Sequence, residues 1–181
     1  MDKLIGVILC GGESRRMGRD KGLILKKGTP WAFYMAEKLT SFCLPVVFSV
    51  NAMQTDDYAA QFPGVRLVVD KEVIPAGGPL KGVLSVHQEF PENDLLLLAC
   101  DMMDVDLATI GQLVEGYRAG GDYEWYAYQR EGFFEPFCAI YTAAGLEMAQ
   151  LNISLQGLLK QGRTKGLAVT NSEAFKNYNT L

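Results

Sequence analysis

Four short apolar runs, at 4–10, 45–50, 65–69 and 95–100, punctuate the first hundred residues of the chain. Each is nearly continuous in Leu, Ile, Val, Phe, Ala or Cys, the pattern of a strand covered on both faces in a parallel sheet. The stretches between them change period. Residues 30–42 open on Pro30 and repeat Phe33, Ala36 and Leu39 at helical spacing, and 79–90 open on Pro79 and place Leu80, Val83, Leu84 and His87 on one side. A third helix is predicted over 106–117, with Asp106 as its cap. Strands alternating with helices predict βαβ units in a three-layer α/β domain.

The last third departs from this rhythm. Aromatic-rich runs at 122–129 and 133–141, joined by Arg130-Glu131-Gly132, predict a hairpin or added mixed strands. Helices are expected at 143–152 and 154–160, and a last strand at 167–170. No internal repeat, linker or low-complexity tract divides the 181 residues, so one domain spanning 1–181 is expected.

Composition is ordinary for a globular chain, at 49% hydrophobic and 21% charged, and it excludes disorder and coiled coil. The location of charge is more informative. Arg15, Arg16, Arg19, Lys21, Lys26 and Lys27 fall within thirteen positions that hold one acid, Asp20. That window carries a net +5 inside a chain of net −4. A general nucleic-acid surface is excluded, and a single local anion site is indicated. No apolar run reaches the ~20 residues of a membrane span, and 4–10 lacks the cleavage pattern of a signal peptide. Four scattered cysteines without a C-x-x-C pair fit a reduced, cytoplasmic protein and argue against a zinc site.

The basic window begins where the first predicted strand ends, at Leu9-Cys10-Gly11-Gly12-Glu13-Ser14-Arg15-Arg16-Met17-Gly18-Arg19-Asp20-Lys21. Open α/β sheets meet ligands at the carboxyl ends of their strands. Paired glycines let backbone N–H groups approach an anion, and Arg16 and Lys21 add charged donors. The spacing matches neither the dinucleotide fingerprint nor the P-loop. The plainer alternative is a glycine turn followed by a solvated basic surface. Asp101, directly after the run 95–100, faces the same crevice. It reads either as a Mg²⁺ ligand beside phosphates or as a helix cap, although Asp104 and Asp106 lie closer to the helix. The turn Ala76-Gly77-Gly78-Pro79-Leu80-Lys81-Gly82 brings backbone groups near a flat ligand, or is simply a tight turn. His87, the only histidine, is expected to pack rather than react, which leaves no base for Ser or Cys nucleophiles. Glu135-Pro136 inside a predicted strand marks an edge or a bulge.

Taken together, these residues resemble a known family. Leu-Cys-Gly-Gly-x-Ser-x-Arg-Met-Gly-x-Asp-Lys is similar to the signature of molybdenum cofactor guanylyltransferases. Asn51, Asp70, Gly78-Pro79-Leu80-Lys81-Gly82, Cys100-Asp101, Glu135-Pro136, Ser154-Leu155 and Phe175-x-Asn177-x-Asn179-Thr180 follow in the family's order. The double glycine at 11–12 resembles the GTP-using branch rather than the CTP-using one. The resemblance implies a Rossmann-like, nucleotide-diphospho-sugar transferase-like fold with a mostly parallel sheet. It implies GTP contacts from Leu9, Cys10, Gly11, Gly12, Lys21, Asn51, Asp70, Gly78, Pro79, Leu80 and Asp101. Mg²⁺ would be held by Asp101, and molybdenum-molybdopterin would lie near Glu135, Asn177 and Asn179. Catalysis is expected from Arg16, Lys21 and Asp101, as transfer of GMP with release of pyrophosphate. Cofactor-insertion or cofactor-delivery proteins are the partners such an activity implies, with neither nucleic acid nor membrane. The chain departs from the family at Cys10 (usually Ala), at Met103 (usually Pro), and at Leu181, where the family continues. CTP or a sugar-phosphate acceptor, or a non-catalytic nucleotide-binding role, are the competing readings.

Overall fold

The computed structural model describes residues 3–11, 20–43 and 45–176. The elements begin with β1 (Leu4–Leu9), a 3-10 turn at Lys21–Leu23, and a small hairpin of β2 (Leu25–Lys26) and β3 (Thr29–Pro30). Next come α1 (Trp31–Thr40), β4 (Val46–Val50), and a 3-10 turn at Ala52–Gln54 running into α2 (Thr55–Gln61). β5 (Arg66–Val69), α3 (Gly78–Glu89), β6 (Asp94–Ala99) and α4 (Leu107–Arg118) complete the predicted alternation. The last third holds β7 (Trp125–Arg130), β8 (Phe133–Tyr141), α5 (Ala143–Glu147), α6 (Leu155–Gln161) and β9 (Thr164–Ala168).

Seven strands form one sheet in the order β5-β4-β1-β6-β8-β7-β9. β4, β1 and β6 pair in parallel, as does β5 with β4; β8 runs antiparallel to both β6 and β7, and β9 lies parallel to β7. The alternation within β1 explains why its run is apolar throughout. Leu4 and Ile8 face one core with α1 and α4, whereas Ile5, Val7 and Leu9 face a second core with α3 and α6. The expected three-layer, mostly parallel α/β architecture is the one observed, with mixed strands in its last third.

Several boundaries differ, each for a local reason. The helix expected over 143–152 stops at Glu147, because Met148 and Leu151, which would extend it, are 80% and 41% exposed and gain no burial. The last strand begins at Thr164, three residues before the apolar residues that suggested it, since pairing to β7 starts at Trp125↔Thr164. The 122–141 hairpin is present, closed by Glu131 (φ 50°) and Gly132 (φ 80°) as a tight turn matched to strand twist. Register between β7 and β8 slips between Ala127 and Gln129, opposite Glu135-Pro136, as the proline requires. α2 carries none of the periodicity that marked the other helices, and only Tyr58 is buried in it.

α2 nevertheless fixes the chain where it returns from the basic loop. The Tyr58 hydroxyl, fully buried, donates to Asp20 Oδ1 at 2.8 Å, and the Gly22 amide donates to the same oxygen at 2.9 Å. A Cβ on Gly22 would lie 2.0 Å from that hydroxyl. Only glycine lets the turn pass this close. Gly22→Ala is therefore expected to cost about 1–3 kcal/mol through overpacking, read as a lower Tm by thermal denaturation. Tyr58→Phe removes the hydroxyl that the added methyl would strike. The double variant should then lose clearly less than the sum of the two single losses; strict additivity would refute the contact.

Candidate active site

The carboxyl ends of β1, β4 and β6 are level, because Leu9 pairs with both Ser49 and Ala99. The residues that follow, Cys10-Gly11, Asn51 and Asp101, consequently share one rim, and Asp70 joins them from β5. Across this rim Lys21 Nζ donates to Asp101 Oδ2 at 2.8 Å, with the two side chains only 18% and 17% exposed. A pair this sheltered is screened far less than a surface ion pair. Two side chains predicted separately as a phosphate donor and a metal ligand thus meet directly.

Buried hydrogen bonds tie the ends of the basic loop to the sheet. Leu9 and Cys10 are buried, and the Cys10 thiol is pushed well up by burial and by the neighbouring Cys100. The amides of Cys10 and Gly11 both donate to Ser49 O, at 2.9 and 3.1 Å. This corrects one expectation: the Gly11 N–H extends the ladder to β4 and is not presented to an anion. Asn51 caps the following turn, its Oδ1 accepting from the amides of Met53 and Gln54 at 3.0 and 3.2 Å. Gln54 is a residue the sequence reading passed over. Its side-chain amide donates to Asp20 Oδ2 and to Cys10 O (3.0 Å), while its Oε1 accepts from Asn51 N (2.9 Å). Asp20, Gln54 and Tyr58 form a scaffold that joins the two described ends of the loop. The available signal was Asp20 itself, the lone acid in a basic window.

Asp70 stands half-buried at the end of β5, and burial raises its carboxyl against the opposing charge of Lys81. Its Oδ1 and the Ser49 hydroxyl are both buried without a hydrogen-bond partner among the described residues. Gly82 separates α3 from them: a Cβ there would come within 2.5 Å of Ser49 Oγ and 3.3 Å of Asp70 Oδ1. Gly78 and Pro79 open α3 at this rim, with Gly78 at φ 56°. Leu80, by contrast, is 1% exposed and packs in the core, so its side chain does not face the rim. Glu135 lies in β8 just beyond Cys138, which pairs with Leu98, and so reaches past the end of β6; burial raises its carboxyl. Gly12, Arg16, Asn177 and Asn179 lie outside the described residues. His87 sits near the far end of α3, away from this rim, as expected of a packing residue.

A groove of about 540 Å³ runs between α1 and the segment leading to α4, lined by Lys26, Tyr34, Lys38, Met103 and Asp106 among others. The pKa of Lys38 is drawn down to about 8 by burial and by the like charge of Lys26. Asp106 caps α4, accepting from Thr109 N at 2.7 Å, in the role predicted for it. Among the described residues no three His, Cys, Asp or Glu side chains converge as a metal cage, and no helix is long and apolar enough to cross a membrane. A cation held by Asp101 would leave ligand positions for substrate oxygens and water. The Lys21 ammonium on Asp101 shows that the carboxylate accepts a cation there. That donor, a hard carboxylate oxygen, fits Mg²⁺.

Comparison with known proteins identifies the family and the fold. The chain is 30% identical over 145 residues to a molybdenum cofactor biosynthesis bifunctional protein of Synechocystis, an alignment covering 80% of this chain and 41% of that one. The chain thus spans less than half of that relative. It is 28% identical to a molybdenum cofactor guanylyltransferase of Pasteurella multocida, over 97% of this chain and 94% of the relative. In fold it resembles the crystal structure of molybdopterin-guanine dinucleotide biosynthesis protein A from Archaeoglobus fulgidus, with a TM-score of 0.77 at 21% identity over 97% of this chain and 92% of that one. The model of the MobA-like NTP transferase domain matches residues 6–166, from the first core strand to the last, and the chain belongs to that family of nucleotidyltransferases.

Proposed function

We propose that the chain transfers GMP from GTP to the phosphate of molybdenum-bound molybdopterin, releasing pyrophosphate. The observation that carries this reading is the Lys21–Asp101 pair at the carboxyl rim of a sheet belonging to this family. The curated relatives named for guanylyl transfer support the choice of nucleotide and acceptor.

The residues suit the reaction. A phosphate-monoester nucleophile is already anionic near neutral pH, so no histidine is needed at the rim, and none is found there. Catalysis rests on holding the triphosphate and neutralising its charge. Lys21 has the position to ion-pair with phosphate oxygens, and Arg16 is assigned the same task by its place in the motif. Asp101 would hold Mg²⁺, which when bound supplies Lewis-acid neutralisation of phosphate oxygens. Asp70, flanked by Gly11 and Gly82, faces the nucleoside side of the rim. Asn51 acts through its cap, fixing the turn against which Gly11 lies. Glu135 marks the side from which an acceptor would approach.

Two measurements test the assignment. With Mg²⁺ and molybdenum-molybdopterin, pyrophosphate release is expected from GTP and not from CTP; release from CTP alone would refute the guanylyl reading. Asp101→Asn keeps the shape of the side chain and removes its charge. It should lower kcat/KM on the order of 10²–10³-fold, the scale set by losing one preorganised charge contact in an active site. Full turnover in that variant would remove Asp101 from the mechanism.

A further inference from the structure

Asp101 begins the segment Asp101-Met102-Met103-Asp104-Val105-Asp106, which has no proline to fix its backbone and no strand partner of its own. Two short internal hydrogen bonds shape it: Met102 N donates to Ala99 O and Val105 N donates to Met102 O, both at 3.2 Å. A side chain from another layer does the rest. Lys38, on α1, sends its Nζ into the segment and donates to Met103 O at 2.9 Å and Val105 O at 2.6 Å. Met103 and Val105 are 4% and 0% exposed, so carbonyls in this turn have little access to water and depend on protein donors.

The same ammonium lies 4.6 Å from the centre of the Tyr34 ring, and Lys26 Nζ lies 5.1 Å from that ring. Lys26 belongs to the β2–β3 hairpin that directly follows Lys21 and its turn. Tyr34 and Lys38 together thus touch the segment after Asp101 and the hairpin that follows Lys21. One face of α1 links the Asp101 segment to the hairpin after Lys21. A cation is suited to this post: three donors on a long apolar stem reach two carbonyls, and the ring face compensates the remaining charge.

We propose that Lys38 is a positioning residue, holding the 101–106 segment so that Asp101 is aimed at the rim. The inference rests on Asp101 acting at the active site, and its test separates the two. Lys38→Met keeps the stem and removes the donors. Loss of two charged hydrogen bonds should speed hydrogen exchange at the Met102 and Val105 amides about 10–100-fold, with the β1 and β4 amides unchanged. In pyrophosphate release, the same variant should raise the apparent Mg²⁺ half-saturation about tenfold, a shift of one pair of hydrogen bonds. A role in global stability alone would leave that constant unmoved. Lys38→Arg, which retains charged donors, should recover most of both effects. If Lys38→Met does not fold, Lys38→Gln, with one neutral donor, takes its place in the same two measurements. Unchanged exchange at Met102 and Val105, or an unchanged Mg²⁺ constant, overturns the proposal. If instead Asp101→Asn turns over normally while exchange in Lys38→Met rises, the tether stands and the reading of Asp101 is what fails. In the Asp101→Asn background, Lys38→Met should add no further loss of turnover; an additive loss also overturns the proposal.

Discussion

The burial of β1 on both faces is the constraint from which the rest of the molecule follows. With α1 and α4 on one side, α3 and α6 on the other, and β4 and β6 bonded at its edges, β1 cannot shift register without moving apolar residues between two cores. Its carboxyl end is therefore fixed to the ends of both neighbours. The chain changes direction at this point, because the connection from β1 leads through α1 to β4 while β6 is added on the opposite edge. A crevice opens where the two directions part. Cys10-Gly11 and Asp101 meet there because the sheet has only one register that fills both cores.

Charge is handled in the same region by a separation of tasks. Asp20 is the acid nearest Lys21 in the chain, yet its carboxylate is committed to Gly22, Tyr58 and Gln54. Lys21 reaches instead to Asp101, eighty residues away. Satisfying Asp20 internally keeps a local neutralising partner away from the cation. Lys26 and Lys38 are likewise turned to the Tyr34 ring. Of the described cations in the basic window, Lys21 is the one placed against Asp101, just past the end of β6, although nearly all looked alike as a string of charges.

What could be read from the sequence was whatever burial writes into a local pattern. Runs such as 4–10 and 95–100 were legible because both of their faces are covered, and Asp106 because a cap acts on the next turn. α2 was not: seven residues with Tyr58 as the only buried one carry no period, and its role lies in the contact of Tyr58 with Asp20, 38 positions away. The strand ends that bear Gly11, Asn51, Asp70 and Asp101 followed from position alone. The hydrogen bond that commits the Gly11 amide to Ser49 did not, since a glycine's neighbours across a sheet leave no trace beside it in the chain. Leu80 shows the reverse error: a motif residue adjacent to a site turned its side chain to the core.

This division also bears on the proposed reading, in which a carboxylate at 101 would hold the cation. A site that held its cation entirely by protein would need several acids, and their mutual repulsion would have to be balanced whenever the cation left. Here the Asp101 carboxylate rests against Lys21, so each compensates the charge of the other. Under the proposed function, Asp101 would hold the metal and Lys21 would pair with phosphate oxygens. Each of the two groups would then keep an opposite charge beside it. That economy depends on both partners being held close to 2.8 Å by their backbones rather than by each other, which is the condition that the buried scaffold around Asp20 meets for Lys21.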